Sequence, residues 1–202
     1  MLTVGNDEAE VERQLLDGLL ECPCGGQLHG WGHALDREIR LGGEARRWLR
    51  PRRAMCDGCG RTHVLLPARM LARRADSAGV IGEALVLAAA GLGCATIAGR
   101  LGRAAATVRG WLRRFAARAE ALRSAFTVLA CALDPDPLLP GPSGSVLGDA
   151  VTAILAAALA AARRWDGAVS VLSPWELASA VTSGLLLGPG TAVQMINTSC
   201  PW

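Results

Sequence analysis

The chain of 202 residues is 51% hydrophobic and 19% charged, with a formal net charge of +3. This composition supplies enough apolar residues for a core, excludes a wholly disordered chain and lacks the period-three glycine of collagen. The net charge combines three unlike segments, because residues 1–36 carry −6, residues 37–123 carry +12 and residues 124–202 carry −3. All 21 basic residues are arginines, which suit bidentate recognition of phosphate and guanine. The cationic middle segment therefore predicts a polyanionic partner, most commonly a nucleic acid.

Residues 1–19 are rich in acidic side chains and predict an acidic N-terminal helix or tail. A secretory signal peptide would place basic residues there, followed by an apolar run, so we expect none. The uncharged runs at 84–99 and 150–162 are interrupted by glycine or short and rich in alanine. Both fall short of the ~20 strongly apolar residues that a membrane span needs. We therefore expect no membrane partner and a cytoplasmic, nucleoid-associated location.

Four of the seven cysteines form two close pairs, Cys22 with Cys24 and Cys56 with Cys59. Zinc prefers four tetrahedral ligands, and a tight turn with two cysteines supplies one edge of that tetrahedron. Glycines follow each pair, and residues 61–67 have the β-branched, proline-terminated character of a strand. The pattern predicts a zinc ribbon over residues 20–68, with these four cysteines as the ligands of one structural Zn²⁺ ion.

Alternatives to this ligand set arise from the first pair, whose cysteines are separated by one residue rather than the common two. His29, His33 and His63 are substitute ligands if Cys22 or Cys24 does not bind. A redox dithiol is the main competing interpretation, but such a motif normally begins a helix in a βαβ setting, which this sequence lacks. Three isolated cysteines are expected to be small buried residues or a free tail thiol: Cys94, Cys131 and Cys200.

After Pro67 the sequence becomes helical, and residues 94–113 resemble the bacterial helix-turn-helix pattern. Ala98 stands where two helices cross closely, and Gly102 stands at the turn, where a left-handed backbone is needed. Apolar spacing predicts the shared core of the two helices: Ile97, Leu101, Val108 and Trp111. We expect a helix-turn-helix domain over residues 76–133, in which an extended recognition helix continues to about Leu133.

The second helix of this pattern is expected to lie in the major groove of double-stranded DNA. Ala106 and Thr107 suit contacts with thymine methyl groups, and Arg109 and Arg113 can reach guanine O6 and N7. Phosphate contacts are expected from three further arginines: Arg100, Arg103 and Arg114. A solvated helix face is the alternative for each arginine. The arginines of the ribbon would either extend the backbone contacts or only solubilise a small domain.

The C-terminal part of the sequence predicts a proline-rich linker at 134–145, helices within 146–183 and a loose tail at 184–202. Although the tail shows no periodicity, its leucines at 185–187 and Trp202 are expected to cover part of the core.

A catalytic interpretation of this part would combine Asp149, Asp166 and Glu176 into a metal-binding triad for DNA cleavage. Such triads need a mixed sheet, and the region is too short and too helical to hold one. The sequence shows no phosphate loop and no nucleophile elbow. We therefore expect no enzymatic activity and no small-molecule substrate.

Several runs resemble small actinobacterial helix-turn-helix proteins that carry a zinc-ribbon domain of the DUF6431 type. They are residues 22–26, 31–33, 59–67 and 107–115, within a likeness that covers residues 20–183. The sequence is also similar, less closely, to the N-terminal DNA-binding regions of insertion-sequence transposases. The resemblance implies a DNA-binding fold that is often associated with mobile elements, and it supplies no catalytic residues.

Together these features predict a mainly α fold with a small β zinc ribbon at the N-terminal side and a helix-turn-helix bundle. The predicted function is sequence-specific binding of double-stranded DNA, as a transcriptional regulator or as the DNA-recognition component of a mobile element. The alternative is a protein-interaction adaptor that partners a transposase or regulator without base-specific DNA contacts. A second copy of the chain, in a homodimer, and a transposase are possible partners between which the sequence does not decide.

Overall fold

The structure is a computed structural model that describes residues 1–165 and 172–188. Within these residues, short strands and one helix precede a part made of helices alone, which confirms the predicted fold class. The N-terminal elements are β1 (Leu2–Val4), α1 (Glu8–Leu16), β2 (Leu28–His33), β3 (Arg37–Arg40), β4 (Arg46–Leu49), β5 (Arg52–Cys56) and β6 (Thr62–Pro67). The helices that follow are α2 (Ala78–Ala89), α3 (Cys94–Leu101), α4 (Ala105–Ala116), α5 (Ala119–Leu133), α6 (Val146–Arg164) and α7 (Pro174–Val181).

The N-terminal sheet has the strand order β1-β6-β5-β2, with β5 antiparallel to both neighbours and β1 parallel to β6. The N-cap of α1 is Asp7, whose carboxylate accepts hydrogen bonds from the amides of Ala9 and Glu10. Val11 and Leu15 of α1 are buried against the apolar side of the sheet. The segment predicted as an acidic helix or tail therefore contains a helix, and it also contributes the strand β1, which the sequence did not indicate.

The strands β3 and β4 form a separate hairpin beside this sheet. Ile39 and Leu49 of the hairpin are buried against Leu66 and Met70. The backbone of Arg40 also reaches the chain just before α2, because its amide donates to the Ala75 carbonyl at 2.7 Å and its carbonyl accepts from the Ser77 amide at 2.9 Å. The hairpin thus connects the sheet with the helical part.

The central helix of the helical part is α6, which packs against α2, α5 and α7. Its buried face is mostly alanine, and these small side chains let neighbouring helices approach closely. Gly82 on α2 allows a similarly close approach, because a Cβ atom at that position would lie 2.0 Å from the ring of Trp175. Larger apolar side chains, among them Phe115 and Phe126, fill the space between the other helices.

The helix that was expected to run from the recognition segment to about Leu133 is divided into α4 and α5. The break falls at Ala117 and Arg118, and the φ of −122° at Arg118 departs from helical values. Buried apolar residues continue on both sides of the break, which is why the sequence predicted a single helix. The chain turns because α4 packs against α2 and α3, whereas α5 packs along α6. The Arg118 guanidinium also donates to the carbonyls of Leu185 and Leu186.

By length and composition alone, α6 could cross a membrane. Residues 150–162 are too short for a span, but the helix extends beyond them at both ends. In the structure, 44% of its most apolar window is buried inside the fold. Buried core helices of globular proteins have the same composition, so this feature does not by itself indicate a membrane span.

The leucines at 185–187 were expected to cover part of the core. Leu186 and Leu187 are buried in the helical core, whereas Leu185 is exposed. Trp202 and Cys200 lie outside the described residues. The expectation of burial was wrong for Cys131, which is exposed on α5, and Cys94 is only half-buried at the start of α3. Both cysteines lie on helices but outside the buried helical core, and apolar character alone does not reveal this.

Candidate metal centre and nucleic-acid interface

The four cysteines of the two pairs lie together at one end of the N-terminal sheet. Cys22 and Cys24 belong to the turn before β2, Cys56 ends β5, and Cys59 lies in the turn before β6. Their Sγ atoms all lie within 4.8 Å of one another. The Cys22 and Cys59 sulfurs are 3.8 Å apart, and the Cys24 and Cys56 sulfurs are 3.4 Å apart. Zinc–sulfur bonds of about 2.3 Å in a tetrahedron require sulfurs roughly 3.8 Å apart, so the cluster fits one tetrahedral ion.

Glycines shape both cysteine turns. The Gly25 amide donates to the Cys22 carbonyl at 2.8 Å, and the Gly60 amide donates to the Cys56 carbonyl at 3.0 Å. Both glycines have positive φ values, 86° and 68°, which other residues adopt with strain. A Cβ atom on Gly26 would lie 2.7 Å from the Cys56 Sγ, so glycine there allows the two turns to meet. The local sequence therefore brings the two pairs into one site.

The pKa of Cys22 shows what the cluster requires chemically. A backbone hydrogen bond from Cys24 lowers this pKa, but burial and hydrogen bonds with the thiols of Cys24, Cys56 and Cys59 outweigh it and raise the pKa to about 12. Because crowded thiolates repel one another, the cluster ionises readily only if a cation compensates the charge. Four thiolates around one ion leave no open coordination position, which is typical of structural rather than catalytic zinc.

The histidines considered as substitute ligands lie outside this cluster. His29 and His33 are exposed on β2, and within the described residues the metal-compatible cluster contains only cysteines. His63 is buried beside it, with its Nε2 atom 3.4 Å from the Cys22 Sγ. That contact suits a residue that orients a ligand rather than one that binds the ion. The sequence had offered His63 only as a substitute ligand.

The helix-turn-helix core forms as the sequence predicts. Gly102 ends α3 in the left-handed conformation, with φ 62° and ψ 39°, and α4 begins three residues later. Ala98 is buried at the helix crossing. The predicted core residues are also buried: Ile97, Leu101, Val108 and Trp111.

One face of α4 remains open to solvent and carries positive charge. Ala106, Arg109 and Arg113 are exposed at helical spacing, and Thr107 is half-buried beside them. Two further arginines predicted to contact DNA are exposed nearby: Arg100 on α3 and Arg114 on α4. The Arg114 guanidinium folds back to donate to the Gly110 carbonyl at 2.9 Å. The structure thus brings these predicted residues to adjoining surfaces of α3 and α4.

Arg103 does not share this exposure. Its side chain is only 9% exposed, and its Nε donates to Asp76 at 2.6 Å. The same guanidinium donates to the carbonyl of Leu41 in the hairpin turn at 2.9 Å. Asp76 also accepts from Arg40 at 2.7 Å. In this structure the donors of Arg103 therefore bind protein acceptors, which join the hairpin to the helix-turn-helix.

Local sequence patterns do not predict this network of Arg40, Asp76 and Arg103. The cap of α2 is Ser77 rather than Asp76, because the Ser77 Oγ accepts from the Val80 amide at 3.3 Å. The one available signal was an isolated acid within the cationic segment.

The fold and the site define a class of protein in which a four-thiol ribbon is joined to a helix-turn-helix. Residues 22–100 match the family described as a domain of unknown function (DUF6431), and residues 81–123 match a homeodomain-like domain (HTH_23). These matches confirm the resemblance found in the sequence, but they do not bear on the likeness to transposases. Comparison with curated proteins and with solved structures gave no match. The homeodomain-like match indicates DNA binding.

Proposed function

We propose that the protein binds specific sequences of double-stranded DNA and uses α4 as its recognition helix. The observation that carries this proposal is the exposed basic face of α4 within the homeodomain-like segment. In the major groove, Arg109 and Arg113 would each bind guanine O6 and N7, and Ala106 and Thr107 would contact thymine methyl groups. Arg100 and Arg114 would bind phosphates and fix the orientation of the helix.

The four-thiol site would hold one Zn²⁺ ion with a structural role, which supports the ribbon beside the helix-turn-helix. Cys22, Cys24, Cys56 and Cys59 would be its ligands, and His63 would orient Cys22. A bound ion of this kind neutralises clustered thiolates and holds the two cysteine turns together.

A non-enzymatic role is part of the proposal. Asp149 accepts a hydrogen bond from the Ser143 amide, and Glu176 forms a capping box with Ser173 at the start of α7. Both carboxylates therefore have structural partners, while Asp166 lies outside the described residues. The protein would act in the cytoplasm at the nucleoid, as a regulator or as the DNA-recognition component of a mobile element. In either role the protein would be able to form a homodimer. In the mobile-element role it would also bind a transposase.

A second candidate function is that of a protein-interaction adaptor. Exposed apolar side chains on the ribbon favour it, since Trp31 is 51%, Leu35 is 91% and Trp48 is 70% exposed. Large apolar side chains on a surface commonly mark contacts with another protein. The two functions differ in whether changes on α4 abolish binding to the partner.

Selection of bound sites from a pool of random duplexes tests the proposed function. The wild-type protein should enrich a motif that contains guanines, and the Arg109→Ala/Arg113→Ala variant should lose that preference. A matched control is Arg50→Ala/Arg164→Ala, which removes two exposed arginines outside the helix-turn-helix. Enrichment of no motif by the wild-type protein would contradict sequence-specific binding and favour the adaptor.

A further inference from the structure

An open cleft lies between the turn of the β3–β4 hairpin and the turn that joins α3 to α4. Its volume is about 560 Å³, and its walls include Gly43 and Arg46 from the hairpin and Gly99 and Arg100 from α3. The cleft borders the short segment that precedes α4. In a helix-turn-helix complex, that end of the recognition helix lies close to the edge of the major groove.

The lining of the cleft contains four arginines and one acidic residue, Glu44, so positive charge is in excess. Arg40 and Arg103 line it as well, but both are paired with Asp76. The Arg100 guanidinium has no hydrogen-bond or ion-pair partner within the part of the chain that the structure describes. Arg46 is paired only with Glu38 at 3.2 Å, and its side chain is 63% exposed. Exposed pairs of this kind contribute little, so Arg46 can exchange Glu38 for a stronger anion.

Gly99 provides an independent observation at the same place. It lies within α3, where glycine is unfavourable relative to alanine. Among the described residues, a Cβ atom there would meet nothing within 4 Å, so packing among them does not require glycine. Close approach of a partner to the backbone of α3 would require it.

The network around Asp76 fixes the width of the cleft. Arg103 donates both to Asp76 on the helical side and to the Leu41 carbonyl on the hairpin side. The backbone bonds of Arg40 hold the hairpin to the residues before α2. Arg46 and Arg100 are therefore presented from two connected walls before any ligand binds, which reduces the entropy lost on binding.

We infer that this cleft binds a phosphate group of the DNA backbone beside the recognition helix, with Arg46 and Arg100 as its ligands. The inference rests on the proposed function and extends it, because it assigns the ribbon hairpin a direct contact with the same duplex. Arginine donors on two walls of the cleft suit the oxygens of a phosphodiester, since guanidinium groups bind phosphate through charge-assisted hydrogen bonds. The contact is independent of base sequence and contributes to affinity rather than to specificity.

Binding titrations over a series of salt concentrations test this inference. For Arg46→Ala/Arg100→Ala, affinity should fall about tenfold or more for selected and unrelated duplexes alike. The slope of log affinity against log salt should become shallower by about 1, as expected for one lost phosphate contact. The Arg50→Ala/Arg164→Ala control changes the net charge equally and should retain a slope close to that of the wild type. Equal behaviour of the two double variants would overturn the inference, and with it the phosphate contact of Arg100, while base recognition by Arg109 and Arg113 on α4 would stand. A wild-type protein that binds no duplex would contradict the proposed function itself.

A second pair of variants tests the glycine observation without a change in charge. Gly99→Leu places a side chain in the cleft, while Gly79→Leu places one on an exposed part of α2. Thermal unfolding should show both variants folded, since neither new Cβ atom meets an obstacle. Gly99→Leu should weaken duplex binding about tenfold while Gly79→Leu leaves it unchanged. Binding of Gly99→Leu at wild-type affinity would also overturn the inference.

Discussion

Asp76 shows how one residue can join two parts of a small protein. Among the described residues, Asp76 is the only buried acidic residue, and 3% of its side chain is exposed. Its two oxygens accept from Arg40 and Arg103, whose backbones belong to the hairpin and to the α3–α4 turn. If the carboxylate is removed, two guanidinium groups lose their common counter-charge in a partly desolvated place.

Asp76→Ala should therefore lower the free energy of unfolding by about 3 kcal/mol. Urea denaturation monitored by circular dichroism measures this change. The control is Glu38→Ala, which removes a carboxylate paired with Arg46 at the surface and should change stability by less than about 1 kcal/mol. Equal effects of the two variants would show that the Asp76 network does not stabilise the fold.

Gly82 gives a second prediction at this scale. Because a Cβ atom there would lie 2.0 Å from the Trp175 ring, Gly82→Ala should force α2 and α7 apart. We expect a loss of about 1 to 3 kcal/mol in the free energy of unfolding, despite the better helix propensity of alanine. Gly79→Ala, at an exposed position on the same helix, should be neutral or stabilising. A stable Gly82→Ala protein would contradict the packing of α2 against α7.

At the residue scale, the sequence predicts those features that depend on the spacing of residues along the chain. Close spacing and glycines dictate cysteine turns, so the sequence predicted the grouping of four cysteines in one cluster: Cys22, Cys24, Cys56 and Cys59. The pairing of Arg103 with Asp76 was not predicted, because an arginine suits a carboxylate as well as a phosphate and Asp76 lies 27 positions away in the chain. The sequence does not reveal which of the two anions it meets.

At the scale of elements, the proposed zinc site makes the acid–base chemistry of the ribbon testable. In the metal-free protein, the pKa of Cys22 is raised to about 12, so this thiol is protonated at neutral pH. Zinc must therefore displace protons when it binds, and lower pH favours the protonated, metal-free cluster. The apparent zinc affinity should rise as pH rises from 6 to 8.

Chelator competition at these two pH values measures the effect, and metal analysis should find about one zinc ion per chain. Cys56→Ser should bind zinc more weakly, whereas Cys131→Ser, which changes an exposed thiol on α5, should bind it normally. An affinity independent of pH, or a folded ribbon that takes up no metal, would rule out thiolate ligation.

Two features of the secondary structure could not be predicted from the sequence, for physical reasons. Strand β1 has only three residues and is defined by its pairing with β6, which is more than fifty positions away in the chain. The break between α4 and α5 interrupts a continuous apolar stripe, because the two helices pack against different partners. Local periodicity detects helical character but does not detect a change of packing partner.

At the scale of the whole molecule, the structure shows which elements carry the positively charged segment of the sequence. The segment with a charge of +12 covers the ribbon hairpin, the helix-turn-helix and the network that connects them. The fold class was predictable from sequence because the ribbon and the helices have distinct local patterns. Their mutual orientation was not, since it depends on Asp76 and on the apolar contact of the hairpin with Met70.

Zinc removal should consequently affect DNA binding although the metal site is separate from α4. Loss of the ribbon would remove the hairpin from the cleft, so chelated protein should show the shallower salt slope of Arg46→Ala/Arg100→Ala. Its helices should largely persist in circular dichroism, because the helical core contains no zinc ligand. Adding zinc back should restore the wild-type slope. An unchanged slope in chelated protein would show that the ribbon does not contribute to DNA binding.

The central claim is that α4 reads DNA sequence, and fluorescence anisotropy with a duplex selected by the protein tests it most directly. The wild-type protein should prefer this duplex to one with substituted guanines, and Arg109→Ala/Arg113→Ala should bind the selected duplex about 100-fold more weakly without that preference. The Arg50→Ala/Arg164→Ala control should keep it. If the Arg109/Arg113 variant retained the wild-type preference, α4 would not be the recognition helix, and the account would be contradicted.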